Sequence, residues 1–406
     1  MSDVLFNPFD PAFRADPYPF YDRLRREDPV HVSPFGFTVL TRYEDVARTL
    51  RGQEFARDID AHVTPREDDP RRARRERIRQ RQESGQAAKT ILNLDPPDHT
   101  RLRRLVSLAF TPRAIERLRP RVQQLVDDAL DVAAERGSME LVEELAFPVP
   151  FQVISDLLDL PVENSAQVRE WSQILTASLE PTADDAAFDA SEVAGAAMGA
   201  YVSEVIAERR RNLGDDLLSA LIEAEEEGDR LSEAELRSFV ILLYVAGHET
   251  TVNLIGNGMH ALLRHPDQLR RWADDPSMDV NAVDELLRYD GPVQETVRVP
   301  TVDVRYGDVE VKKGTLVMTV LGAANHDPEV FDDPDTLQLD RPSASRHLAF
   351  AAGVHYCLGA SLAKLEAGVA ITSLIRRFPE VHLDGEPGWR DRLTIRGVDH
   401  LPLRMR

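Results

Sequence analysis

The chain has 406 residues, a length that suggests two or three domains, and its 42% hydrophobic and 29% charged residues exclude global disorder. Acidic residues outnumber basic ones by 70 to 49, and the resulting formal net charge of -21 disfavours nucleic acid as a main partner. A single cysteine excludes an internal disulfide and any cysteine-cluster metal site.

The first segment of the chain predicts no secretory signal and one small β-hairpin. Residues Met1 to Val4 show no basic segment followed by an apolar stretch, so we expect no secretory signal. Two short apolar runs, Val30–Val32 and Phe37–Leu40, flank the turn-forming residues Ser33 to Gly36. This pattern predicts a β-hairpin.

Residues 56 to 90 are polar and highly charged, with seven arginines between Arg71 and Arg81. The simpler interpretation is a solvated connection or a surface helix. The alternative is an adaptable lid or a contact for an anionic substrate. The sequence leaves the role of the arginine-rich segment open.

Helical patterns dominate from about Arg101 to Tyr289, with breaks at Pro161, Gly214 and Pro266. Ser232 to Glu235 has the form of a capping box, which predicts the start of a long helix that continues to about Leu263. Because residues 239–247 are apolar on nearly all sides, this helix should run through the core. The same apolar run is about half the length of a membrane span, so we expect a cytoplasmic protein without a membrane span.

After Gly291 the pattern changes to short strands around Val302, Val304, Val309 and Val311 and over Leu316 to Val320. One more helix is predicted after the cysteine, to about Leu374, and short strands close the chain. The sequence therefore predicts a mainly α fold with a minor β region. We expect residues 1–406 to form one domain.

The lone cysteine, Cys357, would ordinarily be a small buried hydrophobe. Its neighbours favour another interpretation. Gly353 and Gly359 permit a turn and close backbone approach to a flat ligand, and the cysteine precedes a predicted helix whose N–H groups stabilise a thiolate. Such a thiolate could bind haem iron and push electron density onto it.

The segment around Cys357 resembles the haem-binding signature of the cytochrome P450 family. Phe350, Gly353, His355 and Gly359 match at the required spacing, whereas Ala351 stands where the family often has glycine. The resemblance extends over nearly the whole chain and is closest to soluble bacterial members that modify macrolides and other polyketides. It implies a P450-like fold, with a long central helix over haem b, the cysteine loop beneath it, and Cys357 as the iron ligand.

The long helix carries a second motif, Ala246-Gly247-His248-Glu249-Thr250. On residue chemistry alone, Glu249 could be a buried acid paired elsewhere, and Gly247 could allow close packing. Oxygen activated at iron needs protons, which a hydroxyl and a carboxyl can relay, and a glycine lets the helix open locally. The resemblance implies that Thr250 and Glu249 form this relay, with Ala246 and Gly247 facing the haem and O2 as co-substrate.

Glu285 and Arg288 share one helix face, a spacing that is common on exposed helices. By resemblance to the family they form a buried brace for the cysteine loop, with Arg341 as the third member. We expect this set to be structural.

Haem propionates need cationic or donor partners. His99 and Arg103 are four residues apart and therefore lie on one helix face. Without the resemblance these would be ordinary surface basic residues. The family uses such a pair for the propionates, together with residues that match Arg298 and His355.

Family geometry also places substrate contacts in the variable segments of the chain. These candidates are mostly apolar and predict an apolar or amphipathic small molecule, such as a macrolide or other polyketide, a terpenoid or a steroid. The candidates are Val63, Ile91, Leu92, Leu175, Leu179, Leu243, Ala246, Val293, Val297 and Ile395.

The resemblance implies a monooxygenase of secondary metabolism that takes electrons from a ferredoxin and its reductase. A local basic patch could steer an acidic ferredoxin; its candidates are Arg101, Arg104, Arg113, Arg117, Arg119 and Lys364. Alternatives are a family member that desaturates, couples carbon atoms or uses peroxide, a haem-thiolate sensor, and, more distantly, a helical protein without haem. The intact Glu249–Thr250 pair argues against the sensor and the peroxide user.

Overall fold

A computed structural model describes residues 4–64, 72–84, 88–107, 110–161, 163–226 and 231–405. Helices dominate these ranges, as the sequence predicts. The α-helices are α1 (Pro11–Ala15), α2 (Tyr18–Glu27), α3 (Tyr43–Arg51), α4 (Ile59–His62), α5 (Arg72–Glu83), α6 (Asp98–Ser107), α7 (Pro112–Glu116), α8 (Arg119–Arg136), α9 (Pro148–Leu158), α10 (Ser165–Ala177), α11 (Asp185–Arg211), α12 (Leu217–Glu226), α13 (Glu233–Arg264), α14 (Pro266–Asp274), α15 (Asp279–Asp290), α16 (Leu321–Ala324) and α17 (Ala360–Arg377). Short 3-10 turns cover Ile91–Asn93, Pro276–Met278, Ala344–Arg346 and Gly353–His355, and a π-turn covers Val142–Ala146.

The strands are short and form small sheets. They are β1 (Val30–Val32), β2 (Phe37–Leu40), β3 (Phe55–Ala56), β4 (Ser138–Glu140), β5 (Glu295–Pro300), β6 (Val304–Tyr306), β7 (Val309–Val311), β8 (Leu316–Val320), β9 (His382–Leu383), β10 (Gly388–Trp389), β11 (Val398–His400) and β12 (Pro402–Arg404). The largest sheet has the order β1-β2-β8-β5-β3, in which β2 and β8 are parallel. The C-terminal β12 pairs with β4 and β9, so the end of the chain returns to its middle.

The long helix α13 is the centre of the helical region and begins as predicted. Ser232 Oγ accepts a hydrogen bond from the N–H of Glu235, whose carboxylate accepts one from the N–H of Ser232, so the capping box is complete. By length and hydropathy alone α13 could cross a membrane, but 61% of its most apolar window is buried inside the protein. It packs against α9, α11, α15 and α17, as a core helix does.

Most local predictions are confirmed. The hairpin of β1 and β2 turns at Gly36, which has a φ of 88°, and β6 and β7 turn at Gly307, which has a φ of 55°. The prediction that Val302 belongs to a strand is wrong, because Val302 is 54% exposed and precedes β6 in an irregular bend. Without a neighbouring strand to pair with, a β-branched residue gains nothing from extended structure.

The arginine-rich segment is helical over α5, and Arg77 and Arg79 are exposed, as expected for a surface helix. Arg79 pairs with Glu76 on the same helix, and Arg77 lies 3.6 Å from Glu192 on α11. Arg71 lies outside the described residues.

Candidate active site

The cysteine loop connects the 3-10 turn at Gly353–His355 to the start of α17. The N–H of Cys357 donates to the carbonyl of Phe350 at 3.0 Å, which closes the loop. Burial raises the pKa of the Cys357 thiol, whereas N–H groups of Gly359 and Ala360, at the start of α17, and the charge of Arg103 lower it. Burial is the largest of these effects, so the pKa of the thiol lies above its usual value in the protein alone, and the N–H groups and the charge of Arg103 oppose this only in part.

Three small residues lie in or beside the loop. Gly353 has a φ of +72°, and a Cβ there would lie 2.4 Å from the carbonyl oxygen of Leu50, so glycine is required. Ala351 has a φ of 56°, the left-handed region that favours glycine, so the departure from the family pattern strains the backbone. A Cβ at Gly359 would meet no described protein atom within 4 Å, and Gly359 has an ordinary φ of -86°. Neither protein packing nor backbone conformation therefore requires a glycine at Gly359.

In the motif on α13, Ala246 is exposed although the helix is central, and the hydroxyl of Thr250 donates to the carbonyl of Ala246 at 3.0 Å. The helix is continuous through this motif, without the local opening that the sequence suggests. Gly247 lies against α9, since a Cβ there would come within 3.2 Å of Ile154. Close packing of the two helices therefore accounts for this glycine.

Glu249 is buried, and its partner comes from the C-terminal part of the chain. Arg390 Nη1 donates to Glu249 Oε2 at 2.9 Å, and Nε2 of His248 lies 3.7 Å from Oε1, which is too far for a hydrogen bond. Burial alone would raise the pKa of Glu249, but His248 and Arg390 together lower it to about 2. The residue is therefore a carboxylate that is turned toward Arg390.

A second buried acid, Glu366 on α17, lies beside Thr251 of α13. Burial raises its pKa well above the usual value, and a hydrogen bond with Thr251 opposes this only in part. Its Oε2 is buried without a hydrogen-bond partner among the described residues. Sequence reasoning missed Glu366 because it looks like an ordinary helix residue, and only the packing of α17 on α13 reveals it.

The structure brings the predicted basic residues together beside the cysteine loop. The rings of His99 and His355 lie with their centroids 4.2 Å apart, and Arg103 Nη2 donates to the carbonyl of Tyr356 at 2.7 Å. Burial and then the nearby charges of His99 and Arg298 lower the pKa of His355 to about 3. The Nε2 atom of His355 is buried without a described partner.

Arg298 on β5 completes this cationic cluster, and Arg57, which sequence reasoning missed, joins it. Arg298 is 3% exposed, and burial followed by repulsion from Arg57 lowers its pKa to about 9. Among the described residues, no carboxylate lies within 4 Å of Arg298. The charges of Glu295 and Asp95 act in favour of the Arg57 cation, and that of Asp95 in favour of the Arg298 cation, but burial outweighs them and lowers both pKa values. The cluster is suited to an anion with two or more acceptor groups.

The expected brace residues form one buried network. Glu285 accepts two hydrogen bonds from Arg288, at 2.7 and 2.8 Å, and its two oxygens share the single Nε–H of Arg341, each at 3.1 Å. Arg288 also donates to the carbonyl of Asn325, whose side chain accepts from the N–H of Leu348. The network thereby reaches the segment that leads into the cysteine loop.

The substrate candidates fall into different environments. Val293 and Ile395 are bridge partners, which brings the segment before β5 next to residues 390–397, the C-terminal loop between β10 and β11. Ile91 is 7% exposed and packs in the core cluster of Leu102 and Val106, whereas Leu179 is 58% exposed. Leu92 is exposed. Four other candidates are partly buried, namely Val63, Leu175, Leu243 and Val297.

Comparisons with known proteins agree with this geometry. The family model for cytochrome P450 matches residues 57–274 and 279–390. Cytochrome P450 107B1 of Saccharopolyspora erythraea is 44% identical over 98% of this chain and 96% of its own length. The cytochrome P450 monooxygenase PikC of Streptomyces venezuelae is 41% identical over 97% and 92%.

Among solved structures, the cytochrome P450 PksS of the Bacillus subtilis bacillaene polyketide synthase superposes with a TM-score of 0.87. It is 34% identical, and the match covers 99% of this chain and 100% of PksS. These matches confirm the predicted fold class.

Proposed function

This chain belongs to the cytochrome P450 family and is a monooxygenase, and we propose that it oxidises an apolar or amphipathic polyketide-like molecule with Cys357 as the iron ligand. Members of the family use thiolate-ligated haem b and O2. The observation that carries the proposal is the loop in which N–H groups at the start of α17 point at the sulfur of Cys357. We further propose that residues 1–406 act as one domain and that the protein is cytoplasmic.

The residues beside the cysteine fit a haem. Among the described residues Arg298 and Arg103 have no carboxylate partner, and two propionates would supply one, as well as a hydrogen-bond partner for the buried Nε2 of His355. A flat macrocycle accounts for glycine at position 359, where no described protein atom would obstruct a side chain. His99, Arg103, Arg298 and His355 would hold the propionates, Phe350 and Gly353 would shape the loop, and Gly359 would leave room for the macrocycle.

When bound, the haem supplies the iron at which dioxygen is activated. The chain supplies protons, and we propose that Thr250 and Glu249 do this. The hydroxyl of the half-buried Thr250 is bonded to the carbonyl of the exposed Ala246, and we propose that this face of α13 looks onto the haem. Glu249 exchanges protons with water on the Arg390 side and hands them to Thr250 by turning its carboxylate.

The substrate proposal rests on the apolar candidates and on the names of the relatives. PikC is named a monooxygenase, and PksS is named for a polyketide synthase. Leu243, Val293, Val297 and Ile395 are apolar, and Val293 and Ile395 are bridge partners, so we propose that they form part of a site for an apolar molecule of moderate size.

We propose that an acidic ferredoxin, reduced by its reductase, delivers the electrons. Several residues of the expected basic patch already have acidic partners: Arg101 pairs with Glu235, Arg119 with Glu116 and Lys364 with Asp284. Arg113 and Arg117 are exposed and are the best docking candidates. Arg113→Glu should slow reduction by ferredoxin and weaken its salt dependence, whereas the exposed control Arg211→Glu should change neither.

Replacement of Thr250 by alanine tests the relay. Thr250→Ala should keep the spectrum of bound haem but divert electrons from product to peroxide, because the hydroxyl that carries the proton is lost. The matched control is Thr372→Ala on α17, whose hydroxyl also bonds to a carbonyl four residues earlier. Equal yields of product per electron in the wild type and in Thr250→Ala would exclude the proposed role.

A further inference from the structure

Asp284, the residue before Glu285 on α15, is a buried acid with partners of its own. Its Oδ1 accepts a hydrogen bond from His347 Nε2 at 3.3 Å and forms an ion pair with Lys364 Nζ. Burial would raise the pKa of Asp284, but hydrogen bonds from His347 and Lys364 outweigh it and lower that pKa. Asp284 is therefore a carboxylate, and one of its oxygens joins two other segments of the chain to α15.

The two partners of Asp284 lie on opposite sides of the cysteine in sequence. His347 lies in the segment that enters the cysteine loop, and Lys364 lies near the start of α17, which leaves it. The entering segment carries Phe350, whose carbonyl accepts the N–H of Cys357. The start of α17 carries the N–H groups that bond to the sulfur. Asp284 thus ties both ends of the loop to the same point on α15.

His347 holds the entering segment by its backbone. Its Nδ1 accepts the N–H of Ala349 at 3.1 Å, and because that N–H can only donate, Nδ1 carries no proton. The ring proton is then on Nε2, the nitrogen that faces Asp284. The preceding N–H, that of Leu348, is held by Asn325 of the brace network. Adjacent backbone groups of this segment therefore depend on two neighbouring acids of α15.

The two arms of this arrangement meet again at the ring of Phe350. The ring centroid of His347 lies 5.6 Å from that of Phe350, and Nζ of Lys364 lies 5.8 Å from the same centroid. A cation at this distance is attracted to the face of an aromatic ring. Lys364 is therefore engaged by a carboxylate and by a ring, unlike the exposed arginines proposed for docking.

We propose that Asp284, with His347 and Lys364, is a positioning unit that keeps the N–H groups at the start of α17 directed at the sulfur of Cys357. The inference rests on the proposed role of Cys357 as the iron ligand. Hydrogen bonds to a ligating thiolate weaken its electron donation and so raise the reduction potential of the iron. Loss of any member of the unit should therefore lower that potential, although these side chains act only through the backbone of the loop.

Variants that remove opposite charges separate positioning from a direct effect of charge on the iron. Lys364→Met removes a cation, and Asp284→Asn removes an anion. We expect both to lower the reduction potential of the holoenzyme, measured by spectral titration with a chemical reductant. The double variant should shift the potential no further than the larger single shift. Opposite shifts that cancel in the double variant would mean that only the charges act, and would overturn the proposal.

A matched control lies on the same two helices. Arg376, at the other end of α17, pairs with Asp279 of α15 at 2.5 Å, and its side chain is 32% exposed, as is that of Lys364. Arg376→Met removes a similar tie between the helices and should leave the potential unchanged. Lys364→Arg keeps the cation and should stay close to the wild type. A shift in Arg376→Met as large as that in Lys364→Met would overturn the proposal, because loosened helix packing alone would explain both.

Amide hydrogen exchange reports the loop without reference to the iron. In holoenzyme carrying Lys364→Met or Asp284→Asn, peptides that cover residues 347–360 should exchange faster than in the wild type, because the N–H of Ala349 loses its fixed acceptor. His347→Leu removes that acceptor itself and should show the largest increase. Arg376→Met should match the wild type in these peptides. Unchanged exchange in all three variants of the unit would contradict the positioning role.

The same samples separate this inference from a docking role of Lys364 and from the proposed function. If Lys364→Met changes only the rate and the salt dependence of reduction by ferredoxin and keeps the wild-type potential, Lys364 is a docking cation and the inference is wrong. If the reduced, carbon monoxide-bound wild type lacks the red-shifted band of thiolate-ligated haem, both the proposed function and this inference fail. If the band is present and the variants of the unit keep the wild-type potential, only this inference fails.

Discussion

Arg390 Nη1 lies 2.9 Å from Oε2 of Glu249, so a residue close to the C-terminus contributes to the charge state of an acid in the middle of α13. The side chains of both residues are largely buried. Without the cation, burial would favour the neutral acid. The charge state of the relay acid therefore depends on a contact between segments 141 residues apart in sequence.

Arg390→Leu should make the stability of the protein less sensitive to acid. The pKa of Glu249 is lowered to about 2, so its carboxylate stabilises the fold above the ordinary pKa and loses that contribution as the pH falls toward 2. At pH 7 the variant should be less stable by about 2–3 kcal/mol, and the difference should shrink by pH 3.

Denaturant titrations at a series of pH values measure this difference. The control is Arg404→Leu, which removes an exposed pair with Asp384 and should cost less than about 1 kcal/mol at every pH. A difference between wild type and Arg390→Leu that stays constant from pH 7 to pH 3 would show that Arg390 does not set the charge of Glu249.

The buried acid Glu295 should make the free energy of unfolding depend on pH in the opposite direction. Burial raises the pKa of Glu295 to about 7, although the hydrogen bond that Thr394 Oγ1 donates to it at 2.7 Å lowers the pKa in part. The folded state then binds a proton that the unfolded chain releases near pH 4.3, so the free energy of unfolding falls as the pH rises to 7. The loss is at most roughly 3–4 kcal/mol.

Glu295→Gln should remove this loss, since the amide oxygen still accepts from Thr394 and no charge is buried. The melting temperature of the variant relative to wild type should therefore be higher at pH 8 than at pH 5. Exposed Glu310→Gln serves as the control and should follow the wild type. If Glu295→Gln and wild type show parallel pH dependence, Glu295 is not a buried acid with a raised pKa.

The brace can be tested by removing its single acid. Glu285→Gln leaves Arg288 and Arg341 buried with a neutral partner, and loss of one partner of a buried ion pair costs about 3–5 kcal/mol. Urea titration should show this cost, whereas Glu144→Gln, which breaks a half-exposed pair with Arg136, should cost about 1 kcal/mol or less. Equal small losses would mean that the triad does not stabilise the fold.

The local features of this fold were predictable because their signals are local. The capping box at Ser232, the turn at Gly36 and the loop around Cys357 are all encoded within ten residues. Only the resemblance of the chain to the family indicated Arg341, because the residues around it in sequence do not predict a contact with Glu285.

The residues that sequence reasoning missed act across long separations. Arg390 meets Glu249, and Arg57 acts on Arg298, only after the C-terminal loop and β5 have packed against the helical core. A lone arginine in a loop carries no periodic or motif signal, so tertiary packing decides its role. Individual substrate candidates such as Ile91 were uncertain for the same reason, because apolar residues suit a core and a cavity equally well.

Ala351→Gly tests the strain in the cysteine loop. At a φ of 56° an alanine costs about 1–2 kcal/mol, which glycine avoids. Glycine in turn costs about 0.4–1 kcal/mol, because it raises the conformational entropy of the unfolded chain. The variant should be more stable by about 0.5–1 kcal/mol in urea titration. The neighbour Ala352, with a φ of -155°, is the matched control, and Ala352→Gly should be destabilised. Destabilisation of both variants would contradict left-handed strain at position 351.

The central claim is that Cys357 binds haem iron as a thiolate. The direct test is the absorption spectrum of the reduced, carbon monoxide-bound protein, compared with that of Cys357→Ser. We predict that the wild type shows the strongly red-shifted band of thiolate ligation and that the variant, reconstituted with the same haem, lacks it. A wild type without the band, or a variant that keeps it, would contradict the account.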